Sequence, residues 1–458
     1  MTRQMKSSGV EWIGDIPEKW DVCKVINCLL NIGSGTTPQG LEYYENEYIP
    51  WLNTGDLNDA YIERTEKSVS EKALSDYSVL KRFDKGSVVV AMYGATVGKL
   101  GIVSFPLVTN QACCVMTPNE KLYKMFLFYL FMAGKTHLIS LSLGSGQPNI
   151  NQNTVKTFDI PFPPLSEQKA IADYLDAKCA KIDAFIAKQK TVIEKLKEYK
   201  QSVITEAVTK GLNPAVPMKS SGVEWIGDIP EKWNVFRIKN VAFLKGRIGW
   251  QGLKSDEYQE DGPFLVTGKD FKNGKIDWMS CVHITEERFD EAPEIHIREN
   301  DLLITKDGTV GKGVERQFHV PADLLITKDG TVGKVAIAKN CPLKVSLNSG
   351  VLLIRSKNNS FFDQKFLCYV LCSNIFWMWF LSTLNGNSTI IHLYQEDFSN
   401  FRFSLPPLSE QKEIADYLDA KCAKIDDFIA KKQVVIEKLR EYKKSLIYEC
   451  VTGKREIV

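Results

Sequence analysis

The sequence predicts an α+β protein of two globular domains joined by two long antiparallel helices about a pseudo-two-fold axis. Two exact or near-exact repeats and the contrast between them predict it. The run MKSSGVEWIGDIPEKW occurs at Met5–Trp20 and again, unchanged, at Met218–Trp233. A second repeat opens PPLSEQK at Pro163 and at Pro406, with 32 identities over the 38 positions Pro163–Lys200 and Pro406–Lys443. Between these flanks the residues differ widely, so the order is cap, variable domain, helix, twice over. The expected spans are 1–162 and 212–405 for the domains, and 163–211 and 406–458 for the helical segments.

The helical segments follow from their punctuation. Ser166 and Ser409 are expected N-caps, each followed by an acid, Glu167 or Glu410, that suits the positive end of a helix dipole. Gly211 and Gly453 mark the ends, and no proline or glycine interrupts between. Apolar residues recur every seven. Leu175, Ile182, Leu196 and Val203 form one row; Ile171, Phe185, Val192 and Tyr199 form a second, widened by Ile186 and Ile193. The other helix matches with Leu418, Ile425, Leu439 and Leu446, and with Ile414, Phe428, Val435 and Tyr442. Such a stripe must be buried. The expected partner is the other helix, run antiparallel; packing on the helix's own domain or against a second chain are the alternatives.

Each variable region mixes short β-branched runs with turns and one apolar helix, as an α+β domain does. Strand candidates are Ser87–Met92, Leu302–Thr305, Leu324–Thr327 and Val351–Ile354. Phe366–Leu384 is nineteen residues without a charge, but Ser373 and Asn374 interrupt it, and the matching Met125–Leu143 carries Lys135 and His137. A buried core helix is expected there, and no membrane partner.

Composition narrows function less than placement does. With 458 residues, 44% hydrophobic and 25% charged, the chain has an ordinary globular make-up and too much length for one core. The net charge of +2 does not by itself indicate a polyanion partner. Eleven cysteines without a CxxC pair or zinc-like spacing fit free thiols, no metal and a reducing, cytoplasmic compartment. The polar N-terminus lacks the apolar core of a signal peptide. Two acid-poor stretches stand out. Residues 85–158 hold one acid, Glu120, against Lys85, Lys99, Lys121, Lys124, Lys135 and Lys156; residues 330–395 hold only Asp363 against Lys334, Lys339, Lys344, Arg355, Lys357 and Lys365. A surface touching phosphates must exclude carboxylates, although buried core is acid-poor too. A third stretch, 234–255, is acid-free and carries Arg247 and Trp250.

Gly- and amide-rich loops recur at matching places. The first domain offers Thr96 and Lys99 in GATVGK, then Asn110 and Gln111, then Gln147 and Asn149. The second offers Lys328, Thr331 and Lys334 around DGTVGK, then Asn348, then Asn387. Lysine and threonine can hold phosphates, and Asn or Gln can pair with adenine edges; each loop taken singly is more often just a turn. No GxxxxGK[ST], HExxH or GxSxG occurs, and no catalytic constellation is found.

This ordered set resembles the specificity subunit of type I restriction-modification enzymes. The carrying residues are Gly9–Trp20 and its copy ending at Trp233, Gly35-Thr36-Thr37-Pro38, both turns ending Thr-Val-Gly-Lys, and both PPLSEQ-led helices. The resemblance implies two target recognition domains, each reading half of a split, asymmetric double-stranded DNA site. It implies helices that set the gap between half-sites and dock two methyltransferase subunits, with restriction or translocase subunits joining that core. No cofactor would bind this chain, since S-adenosylmethionine and ATP belong to the partners. A non-enzymatic coiled-coil adaptor binding proteins, and a self-sufficient methyltransferase, are the competing readings. One departure is the run DLLITKDGTVGK, which occurs at Asp301–Lys312 and at Asp323–Lys334; the second copy is expected to be the structural element and the first an insertion.

Overall fold

The computed structural model describes residues 3–457, apart from 46–47, 142–148, 248–251, 273, 309–331, 359–360 and 385–390. The chain forms two compact units, residues 1–190 with 432–458, and residues 191–431. Each unit therefore combines a cap, a variable domain, the start of that half's long helix and the end of the other half's helix.

The long helices span Leu165–Lys210 (46 residues) and Leu408–Val451 (44 residues). At about 1.5 Å per residue these are rods of roughly 65–70 Å. They begin two residues earlier than expected, so Ser166 and Ser409 lie inside the first turn and are not caps. Gly211 and Gly453 end them at φ of 75° and 73°, the left-handed conformation that glycine takes without a Cβ penalty. In the first unit Asp183 pairs with Lys443 at 2.6 Å, while Tyr174, further back on the first helix, lies near Arg455, just past the end of the second. In the second unit Lys200 pairs with Asp426 at 2.7 Å, while Gly211 faces Glu410. Advancing along one helix means retreating along the other, so the segments run antiparallel within each unit. Ile182 and Ile425 are buried, at 9% and 4% exposure.

The buried stripe differs from the expected one in its second row. Leu175, Cys179, Ile182, Ile186, Gln189 and Ile193 are buried, spaced alternately by four and three; Leu418, Cys422, Ile425 and Ile436 repeat this on the second helix. Leu196 and Leu439 are half-buried. Phe185 and Phe428 are not packing residues, being 45% and 55% exposed. Seven-residue spacing is common to every row of a heptad, so Phe185 and Phe428 mimic the row that Cys179 and Cys422 occupy.

The two variable domains share one fold despite their different residues. The first has a five-stranded sheet in the order Leu29–Gly33, Cys113–Pro118, Val88–Ala91, Leu100–Val103, Ala60–Ile62. The second matches it with Ala242–Gly246, Val351–Ser356, Leu302–Thr305, Val335–Ile337, Lys275–Ile276, and adds Phe271–Lys272 at the edge. The central strands are buried on both faces, which explains their continuous apolar runs VVVA and LLIT. A small three-stranded sheet flanks each: Val108–Thr109, Ile49–Leu52, Lys67–Val69 in the first domain, and Val345–Leu347, Gln259–Val266, Val282–His283 in the second. An apolar helix packs on the large sheet. In the first domain it is the single span Lys124–Ser140. In the second, the expected single helix is two, Gln364–Cys372 and Asn374–Thr383, bent by 58°. Ser373 breaks it, and Thr205 of the first long helix accepts the Asn374 N–H at 3.0 Å. No single described helix is long and apolar enough to cross a membrane; the bent pair passes on length and composition, but Phe366, Leu367, Phe376 and Phe380 are all in the core.

The duplicated run also resolves differently from expectation. The strand is Leu302–Thr305, from the first copy, whereas the turn that meets it, Val332–Lys334, comes from the second. The two copies are identical, so local chemistry does not distinguish them. Residues Leu324–Thr327 lie outside the described residues.

Candidate nucleic-acid interface

The repeated residues build the joint on which each variable domain sits. Trp20 Nε1 donates to Glu167 at 2.9 Å, and Trp233 Nε1 to Glu410 at 3.0 Å. Gln168, fully buried, donates to the carbonyls of Lys121 (3.0 Å) and Pro163 (2.9 Å) and accepts from the Tyr123 N–H (2.8 Å). Gln411 does the same with Phe361 O, Pro406 O and Asp363 N. Tyr129 donates to Asp176 and Tyr369 to Asp419, both at 2.6 Å. Burial, then the bond to the carboxylate, pushes both tyrosine pKa values up. A buried amide making three bonds to backbone cannot be replaced without orphaning those groups. That requirement explains why PPLSEQ and EKW are the same in both halves. The signal for these clamps was the repeat itself, which indicated the joint but not the bonds within it.

Above this joint, the first domain gathers most of its expected contact residues at one end of the sheet. Thr37 Oγ1 donates to Gln111 Oε1 at 2.8 Å, and the Thr36 carbonyl accepts from Trp51 Nε1 at 3.1 Å. Gly35 N–H donates to the Asn110 carbonyl and to Thr109 Oγ1, so the GTTP run lies against the Asn110–Gln111 turn. Asn110 uses its side-chain oxygen to accept from Ala112 N–H. Tyr93, not anticipated from the sequence, bridges backbone to backbone with Asn149 and lies near Gln111. Burial raises the Tyr93 pKa, and the neighbouring Gln111 opposes that rise. Thr96 and Lys99 close the adjoining turn through Lys99 N–H to Thr96 O. Gln147 lies outside the described residues.

The Thr-Val-Gly-Lys turns have a structural explanation of their own. Gly98 and Gly333 take φ of 73° and 77° and press against the apolar helix; a β-carbon on Gly98 would sit 3.1 Å from Ile139, and one on Gly333 2.7 Å from Trp377. Lys334 follows, exposed, its backbone N–H bonded to Thr305 Oγ1 at 2.9 Å.

Elsewhere in the second domain the expected contacts are less available. Arg247 is 2% exposed, donating to Leu347 O and Ser346 Oγ at 3.0 Å each, and burial lowers its pKa. As placed, it supports a strand and does not reach a surface. Asn348 spends its amide on both backbone groups of Leu253, at 3.2 Å each. Trp250, Lys328, Thr331 and Asn387 lie outside the described residues. The acid-poor stretches are not acid-free surfaces either: Lys344 pairs with Glu286, Arg355 with Asp301, Lys365 with Asp419 and Lys135 with Asp59. Those acids come from other parts of the chain, which a linear count of charge does not see. Among the described residues no group of His, Cys, Asp or Glu is arranged to hold a metal.

Comparison with known proteins agrees on one family. The profile described as type I restriction modification DNA specificity domain matches residues 17–195 and 230–438. The chain is 25% identical to the type I restriction enzyme MjaVIII specificity subunit of Methanocaldococcus jannaschii, over 96% of this chain and 93% of that one. Among solved structures, one described as the structural basis of complex assembly and conformational transition of the type I R-M system matches at a TM-score of 0.70 and 18% identity, covering 96% of this chain and 99% of that one. The HsdS subunit from Thermoanaerobacter tengcongensis matches at 0.51 and 19% identity, covering 98% and 100%.

Proposed function

The chain belongs to the type I restriction-modification DNA specificity family, and from that membership we propose that it reads a bipartite DNA site for a complex whose catalytic work is done by other subunits. The observation that carries the reading is the pairing of two like-folded domains of different sequence with one repeated set of clamps: Trp–Glu, Gln–backbone and Tyr–Asp. Identical clamps hold different reading surfaces, as an asymmetric split site requires. In the first domain the reading surface is the Thr36–Thr37, Tyr93–Lys99, Asn110–Gln111 and Asn149 cluster; in the second it includes Lys334.

The partners are two methyltransferase subunits on the long helices, with restriction or translocase subunits joining them. The exposed aromatic row supports this. Phe185 and Tyr442 in the first unit, and Phe428 and Tyr199 in the second, are each at least 45% exposed and occupy equivalent repeat positions. A repeated apolar row left in solvent suits two copies of one partner.

The test assembles the full chain with its methyltransferase subunits and maps methylated bases. Two unlike half-sites at a fixed gap are expected, with DNA affinity falling steeply as salt rises. Replacing Phe185 and Phe428 by alanine should lower co-purification of the methyltransferase while the chain stays folded. Salt-insensitive association with proteins and no DNA preference would favour the adaptor reading instead.

A further inference from the structure

Within the first domain's cluster, one side chain is held as a base reader would be. Gln111 is exposed at the turn between Val108–Thr109 and Cys113–Pro118. Its amide is nonetheless not free to rotate. Thr37 Oγ1 donates to its Oε1 at 2.8 Å, and the Tyr93 side chain lies nearby. Both neighbours are themselves fixed. Thr37 follows Thr36, whose carbonyl bonds buried Trp51, and Tyr93 pairs with Asn149 across an isolated bridge. An amide oxygen accepts two hydrogen bonds and an amide nitrogen donates two. Among the described residues, Gln111 Oε1 therefore keeps one acceptor site for a ligand, and Nε2 keeps its donor hydrogens.

That leaves a neighbouring acceptor and donor on one rigid plane. In the DNA major groove, adenine presents the complement, an N6 donor beside the N7 acceptor; guanine presents two acceptors, thymine one acceptor and a methyl, cytosine one donor. We propose that Gln111 is a specificity-determining residue that reads an adenine in the half-site of the first domain, with Thr37 as its positioning residue. The inference rests on the DNA-reading function proposed above. The second domain has Ser349 at the equivalent turn, so the two half-sites would be read by different chemistry at this position.

The test uses the full chain assembled with its methyltransferase subunits and selects bound duplexes from a randomised library. The wild-type complex should enrich a bipartite motif. Gln111→Ala should flatten the preference at one adenine of one half-site by about 5- to 150-fold, leaving the other half-site and the salt slope unchanged. Thr37→Val should weaken the same position less, and Thr37→Ser, which keeps the hydroxyl, should restore it. An unchanged motif in Gln111→Ala would overturn the proposal. So would flattening at a non-adenine position, or a uniform loss of affinity with a smaller salt slope, which would make Gln111 a backbone contact. A wild-type complex with no motif at all would instead remove the underlying DNA-reading assignment.

Discussion

Replacing Gln168 by leucine tests the idea that the repeated residues are a joint. Leucine is close in volume and keeps the helix, but it abandons three buried bonds: those to Lys121 O, Pro163 O and Tyr123 N–H. Each orphaned buried group costs about 1–3 kcal/mol, so a cost of about 3–6 kcal/mol follows once some backbone relaxation is allowed. For a unit of this size about 2–4 °C of melting temperature accompanies each kcal/mol, which puts the shift at roughly 6–24 °C. Differential scanning calorimetry gives the total. Amide hydrogen exchange locates it, and protection should fall first at Lys121–Tyr123 and at the start of the long helix near Gln168. Gln411→Leu should do the same at Phe361–Asp363, because its three bonds are equivalent. A Gln168→Leu protein melting within about 2 °C of the parent, with unchanged exchange at Tyr123, would refute the joint as the reason for the repeat.

Two further perturbations separate structural from contact roles. Deleting residues 306–327 leaves Thr305 followed by Lys328–Lys334, which restores one copy of the duplicated run. Every described contact of Leu302–Gly308 and Val332–Ile337 keeps an identical residue. Shortening the connection from 29 residues to 7 lowers loop-closure cost by about 1 kcal/mol, so thermal melting should hold or rise by a few degrees; a collapse in melting temperature would mean that the second domain needs the extra residues. Arg247→Met should lower stability by about 1–3 kcal/mol through the lost bonds to Leu347 and Ser346 while leaving the salt slope of DNA binding unchanged. A slope smaller by about one would show that Arg247 meets a phosphate after all.

The legibility of the chain follows from what repeats and what does not. Caps, helices and their antiparallel pairing could be read because two distant segments carry the same residues, and a shared stripe must be buried. The clamps could not, because Gln168 and Tyr129 look like ordinary polar and aromatic residues until the fold brings Lys121, Pro163 and Asp176 to them. The expected second row falls on Phe185 because the row buried in its place begins at Cys179, which a search for large apolar residues passes over. The same blindness affected charge: Lys344 and Arg355 stand in acid-poor sequence yet meet Glu286 and Asp301 in space.

This last contrast bears on where DNA reading must reside. If basic residues in those stretches are already paired with acids, a uniform positive face cannot account for sequence-dependent binding in either domain. On the function proposed above, discrimination then falls to neutral hydrogen-bonding groups at the sheet ends, with exposed lysines such as Lys334 as the proposed phosphate contacts. In that reading the first domain meets this with the exposed Gln111 amide, which Thr37 Oγ1 holds. In the second, Ser349 stands at the position of Gln111 and the neighbouring Asn348 is committed to Leu253, so on this reading other side chains would discriminate there. Two domains of one fold therefore reach different chemistries at equivalent positions, which is what a recognition scaffold with fixed clamps and replaceable surfaces permits.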